Sequence, residues 1–221
     1  MPGMFSIWPP ALLSLLGFLS VAILVLLLVK KSFPALPSWI IGLLTVFQAF
    51  FGSTGYFYPQ IRTDLPFFSA LELVFLFPLT CLLLLHRVRS GKNNILLLMG
   101  LTAFVSSSAT ILMISPEPVK MEWIIQVLAG LIVVMSCLYL FIKQSPDPRV
   151  SVFRWPYLWI ALGALSYWGM KTTVSFTLLC FPESMSGAAE KELLLLFFMV
   201  IQTAFYLLSL LFSNERSAES I

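Results

Sequence analysis

The sequence predicts an all-α fold: a polytopic membrane protein of seven transmembrane helices, N-terminus out and C-terminus in, built as a 3+1+3 parallel repeat. Three observations point there. Hydrophobic residues make up 59% of the 221-residue chain and charged residues only 10%, with a mean hydropathy of +0.97; that balance suits lipid, not water, as solvent. Apolar stretches of about 20 residues, enough to cross a hydrocarbon core of ~30 Å, recur seven times. Lysine and arginine gather in alternate loops.

Taken in order, the stretches are Trp8 to Val29, Trp39 to Tyr58, Phe67 to Leu85, Ile95 to Ile114, Trp123 to Ile142, Tyr157 to Phe181 and Leu193 to Phe212. Each is expected to be a helix, because lipid-facing backbone must satisfy its own polar groups. The first lacks the basic n-region and small-residue cleavage pattern of a signal peptide and is expected to be permanent. The fourth carries Ser106, Ser107, Ser108 and Thr110, expected as a small-residue packing face. The loops are short, roughly 5 to 15 residues, so residues 1–221 are expected to form one transmembrane domain.

Topology follows from charge. The loops after helices one, three and five carry Lys30, Lys31, Arg87, Arg89, Lys92, Lys143, Arg149 and Arg154, and the tail carries Arg216; the opposite loops carry only Arg62, Lys120 and Lys191. The basic side faces the cytoplasm. The net charge of +3 reflects that bias and implies no nucleic-acid partner. Trp8, Trp39, Trp123, Trp155 and Trp159 fall at helix ends, where interfacial anchors belong. His86 joins Arg87 and Arg89 in a basic collar, and Cys81, Cys137 and Cys180 lie in or at the edge of spans, where no loop disulfide forms.

An internal repeat accounts for further regularities. "LLGFLSVAILVLLLVKKS" (Leu15 to Ser32) and "LAGLIVVMSCLYLFIKQS" (Leu128 to Ser145) agree in register at six positions. Trp39-Ile40 and Trp159-Ile160 open helices two and six, and the same offset sets Phe47 on Tyr167 and Glu72 on Glu192. Residues 8–86 and 123–213 are thus expected to be parallel units joined by helix 95–114.

Polar residues inside the spans mark the candidate site. Counting ~1.5 Å per residue from the outer boundary, Glu72 lies roughly 9 Å deep, and Gln48, Lys171 and Gln202 about 15 Å. A carboxylate at that depth costs roughly 2 to 3 kcal/mol unless something offsets it, and Lys171 can snorkel to its level. Helical spacing places Ala164, Tyr167, Trp168, Lys171 and Ser175 on one face, Phe198, Gln202, Tyr206 and Ser209 on another, and Thr45, Gln48, Gly52 and Gly55 on a third. Glu72, Lys171, Gln48, Gln202, Tyr167 and Tyr206 are therefore expected to line an outer-half ligand pocket. There is no HExxH, GxSxG or P-loop, no paired His and Cys and no intramembrane Asp pair, so no catalytic residue, metal or cofactor is expected.

Seven helices with an outside N-terminus and an acidic residue in helix three resemble a rhodopsin-type receptor, although Gln202 stands where such proteins carry the retinal lysine and Lys171 is on helix six. A 3+1+3 plan, with Pro59-Gln60 in "YPQI", resembles the PQ-loop and SWEET facilitators; here the pair ends helix two. The runs "LPFFSALELVFLF" and "YLWIALGALSYWG" are similar to those of a group of bacterial seven-helix membrane proteins with an aromatic-rich Glu helix and a Trp-Ile-x-x-Gly-x-x-x-Tyr helix. That resemblance implies the architecture and a bacterial inner (plasma) membrane, not a mechanism. The expected function is that of a receptor or sensor binding a small polar ligand, with the lipid bilayer around it and a membrane or cytoplasmic protein at its basic inner face and "NERSAES" tail. The alternatives are a facilitator of a small polar solute and an accessory subunit of a larger membrane complex.

Overall fold

A computed structural model of the chain describes residues 8–29, 36–57, 66–85, 91–143, 152–181 and 188–212. Among them are seven α-helices, one short 3-10 turn and no strand. The helices are α1 (Trp8–Val29), α2 (Leu36–Phe57), α3 (Pro66–Leu85), α4 (Gly91–Ile114), α5 (Pro118–Lys143), α6 (Pro156–Cys180) and α7 (Ala188–Phe212), with the turn at Val152–Arg154 before α6. Several begin before their apolar stretch does: α2 at Leu36, α4 at Gly91, α5 at Pro118 and α7 at Ala188. Hydropathy marks only the part of a helix that lipid or core covers, whereas hydrogen bonding continues into the polar flank. Three helices open on proline, at Pro66, Pro118 and Pro156, where its fixed φ and missing N–H suit the first helical position. Pro78 is different, since it lies inside α3 and withdraws the backbone donor that the Val74 carbonyl would otherwise take.

Consecutive helices pack side by side, and α7 returns to α1, so that α1, α2, α3, α5, α6 and α7 form a closed ring. α4 packs outside it against α3 and α5, while α3 also touches α6 and α2 touches α7 across the interior. Leu16 and Ile23 of α1, Leu44 and Phe51 of α2, Phe77 of α3, Val133 of α5, Trp168 of α6 and Met199 of α7 belong to one continuous buried cluster.

The outer surface is apolar where a soluble monomer is usually polar: Phe18, Leu28, Phe50, Met135, Ile142 and Phe176 all stand exposed, while Gln48, Glu72, Lys171 and Gln202 are buried. Among the described residues three helices, Pro9–Val29, Pro118–Lys143 and Leu193–Phe212, are long and apolar enough to cross a membrane, and shorter apolar helical stretches run over Ser38–Thr54, Leu71–Leu85 and Met99–Ile114. The chain is a helical membrane bundle.

Two sequence expectations change here. Trp155 is no interfacial anchor: it is buried against Phe141 and Tyr157 just before α6, its backbone extended to start that helix. Of the α4 hydroxyl cluster only Ser108 is buried; Ser106 and Thr110 face outward and donate to the carbonyls of Thr102 and Ser106 on their own helix, both at 2.8 Å. Lipid accepts such hydroxyls because the helix itself supplies their partners. Trp39 is exposed, and Trp159 is half-buried, stacking on Phe205 and Phe212 and donating its indole N–H to the Phe153 carbonyl.

The glycines paired by the proposed repeat do different work. A methyl group on Gly130 would sit 1.6 Å from Thr172 Oγ1 and 3.2 Å from the Trp168 carbonyl, whereas one on Gly17 would meet nothing within 4 Å. Gly130 is what lets α5 lie directly against the α6 backbone. Gly130→Ala is therefore expected to cost about 1 to 3 kcal/mol by overpacking, and Gly17→Ala to leave stability unchanged or raise it slightly through helix propensity. Thermal unfolding of both variants in detergent checks the contrast.

Candidate functional site

Glu72 lies on the second turn of α3 and Lys171 four turns into α6, and the contact between these helices brings them together. The Lys171 ammonium donates to Glu72 Oε1 at 2.5 Å, with side chains only 5% and 4% exposed respectively. The Tyr167 hydroxyl, one turn earlier on α6, donates to the same oxygen. The rings of Tyr167 and Trp168 flank the ammonium, their centroids 5.7 and 5.6 Å away, within cation–π range. One carboxylate thus accepts a cation and a phenol while two π faces cover the cation, an arrangement that offsets the cost of burying both charges.

A second set joins α2 to α7. Gln48 Nε2 donates to Gln202 Oε1, and Gln202 Nε2 donates to the Tyr206 hydroxyl at 2.6 Å. Thr203 Oγ1 shares its proton between Gln48 Oε1 at 3.2 Å and the Met199 carbonyl at 2.8 Å. Thr80, on α3, connects the two sets: it accepts the indole N–H of Trp168 at 3.2 Å, donates to the Leu76 carbonyl at 2.7 Å and interacts with Tyr206. The polar groups of four helices therefore form two hydrogen-bonded sets that come together where Trp168 and Tyr206 both reach Thr80.

All six residues singled out from the sequence are buried, Tyr167, Gln202 and Tyr206 completely so. The structure brings Glu72, Lys171 and Tyr167 into direct contact, and Gln48, Gln202 and Tyr206 into another; they meet through Trp168 and Thr80. Gly163 permits this geometry, since a methyl group there would lie 3.0 Å from the Tyr206 ring and 3.2 Å from the Gln202 carbonyl.

Sequence reasoning missed the joint at Thr80, the Thr203 partner and a further clasp between α5 and α6. In the clasp, Gln126 Nε2 donates to Glu122 Oε1 at 2.5 Å, and Ser175 Oγ donates to Gln126 Oε1 at 2.6 Å. Gln126 stands in "EWIIQVLAG" as a lone amide among apolar residues, and the depth count that picked out Gln48 applies to it equally. The clasp lies one turn beyond Lys171 on the same face of α6. The cysteines Cys81 and Cys137 are buried and free, Cys180 exposed and free. His86, Lys30, Lys31, Arg62, Arg87, Arg89, Arg149, Arg216 and Pro59-Gln60 lie outside the described residues, as do the side chains of Trp8, Lys92, Arg154 and Glu192 and the surroundings of Gly55. No group of three or more metal-ligating side chains occurs among the described residues.

Comparison of the chain with models of known protein families, with characterised proteins and with solved structures finds no match.

Proposed function

We propose that the chain is a receptor-like membrane protein that spans the bilayer seven times, N-terminus outside, and binds a small polar ligand at the Glu72–Lys171 pair. One observation carries this reading: two opposite charges, enclosed by the bundle, tie α3 to α6 beside the Trp168 ring, whose indole N–H bonds to Thr80 next to the bonds that join Tyr206, Gln202 and Gln48 of α7 and α2. Ionisable groups in spans are functional by default. A ligand that competes for either charge loosens the α3–α6 link, and the Thr80 joint carries the change to helices that do not touch the ligand. The basic inner loops are the surface on which a membrane or cytoplasmic partner would read it.

A small-molecule cell extract added to the detergent-solubilised protein is expected to raise its melting temperature, and the charge-free double variant Glu72→Gln, Lys171→Met is expected to lose that response. An extract that leaves the intact protein unmoved sinks the reading. The packing order favours a second reading, since α1, α2, α3 and α5, α6, α7 neighbour one another in the same sequence. Two such triplets joined by α4 suit a facilitator of a small polar solute. Solute flux into proteoliposomes above that of the double variant would support the facilitator over the receptor.

A further inference from the structure

We infer that the Lys171 ammonium binds internal water inside the ring of helices, which makes the Glu72–Lys171 contact a hydrated site within an otherwise dry core. A lysine ammonium carries three N–H donors. Among the described residues Glu72 Oε1, at 2.5 Å, is the one acceptor that Lys171 meets. The Tyr167 and Trp168 rings attract the charge from 5.7 and 5.6 Å, a distance at which a π face steadies a cation but takes no hydrogen bond from it. Two donors of a buried cation are thus left over, and buried donors in folded proteins are satisfied by protein or by ordered water.

Space and chemistry both fit water. The Lys171 and Glu72 side chains keep 5% and 4% of their surface open to contact with a water-sized sphere, whereas Tyr167, Gln202 and Tyr206 in the same interior keep none. An internal water needs two to four polar partners of both kinds. The ammonium gives a proton, and a carboxylate, with about four acceptor positions, takes protons from several donors at once, Lys171 and Tyr167 among them. A small anion suits the place less well, because it would approach the Glu72 carboxylate as closely as it approached Lys171. The inference stands apart from the ligand-binding reading: water belongs here with or without a ligand, and a ligand that reached Lys171 would have to displace it.

The test is radiolytic footprinting of the full chain in detergent, in which X-ray pulses convert water in place to hydroxyl radicals that oxidise the side chains they touch. Tyr167 and Tyr206 make a matched pair, since both are phenols and both are fully buried, and only Tyr167 shares a partner with Lys171. The expected result is that Tyr167 is oxidised severalfold faster than Tyr206 in the intact protein, and that in the double variant Glu72→Gln, Lys171→Met its rate falls to that of Tyr206 while Tyr206 is unchanged. Lys171→Arg, which keeps the charge and has donors to spare, is expected to retain the fast rate. Tyr167 oxidised as slowly as Tyr206 in the intact protein overturns the inference, and that comparison decides whether or not the variants fold. A fast rate that persists in the folded double variant overturns it too, because water would then be present without the ammonium.

Discussion

Glu72→Gln alone is expected to destabilise the bundle by about 3 to 5 kcal/mol, and Lys171→Met alone by a similar amount, while the double variant lies closer to the parent than either single one. The side chains are 4% and 5% exposed and meet at 2.5 Å, so removing one takes from the other, where bulk water cannot solvate it, the opposite charge that it meets. Removing both leaves two neutral groups in the same volume, with the Tyr167 hydroxyl still able to donate to the Gln side-chain oxygen. Thermal unfolding of the three variants in one detergent closes the cycle. Strictly additive losses would mean that the two charges do not support each other.

Trp168→Ala is expected to have the second largest effect, a loss of about 2 to 4 kcal/mol. The indole is fully buried, meets the Phe77 ring edge-on at 5.7 Å, donates to Thr80 and covers the Lys171 ammonium. Its removal leaves a cavity at the junction of both polar sets. Between membrane helices the water-transfer part of such a loss falls away and the packing part remains, which places the expectation below the usual range for a soluble core. Trp168→Phe, which keeps most of the volume and loses the donor, is expected to cost about 1 kcal/mol. Equal losses for Ala and Phe in a denaturant or thermal series would show that the hydrogen bond, not the packing, dominates.

Fold class and site composition were legible because both depend on local chemistry. Apolar length identifies a helix, and a period near 3.6 set Tyr167, Trp168, Lys171 and Ser175 on one face, where all four are buried. Depth counting paired Glu72 with Lys171 because a snorkelling lysine stem brings its ammonium to the level of the carboxylate. What stayed illegible depends on how helices approach. Nothing in "LAG" around Gly130 distinguishes it from "LLG" around Gly17, yet only Gly130 faces a neighbouring backbone. Trp155 reads as an anchor from its place at a helix end and is instead sealed by Phe141 and Tyr157, a matter of the path the chain takes into α6. Thr80 has the hydroxyl of any helix threonine; its role as a joint arises because Trp168 and Tyr206, from two other helices, reach the same place.

Pro78 gives this arrangement a mechanical character. It stands six residues after Glu72 and two before Thr80, so α3 lacks a rung between the segment that carries the carboxylate and the segment that carries the joint. A rod with a missing rung bends there at lower cost than anywhere else along its length. The two ends of α3 then differ in what holds them: the end after the proline is set by Thr80 and the buried leucines Leu83 and Leu84, and the end before it meets α6 through Glu72, which accepts from Lys171 and Tyr167. Were the Glu72 contacts released, the proline would be the place where α3 bends most cheaply, and the stacked pair Phe47 and Phe75 would carry such a bend to α2.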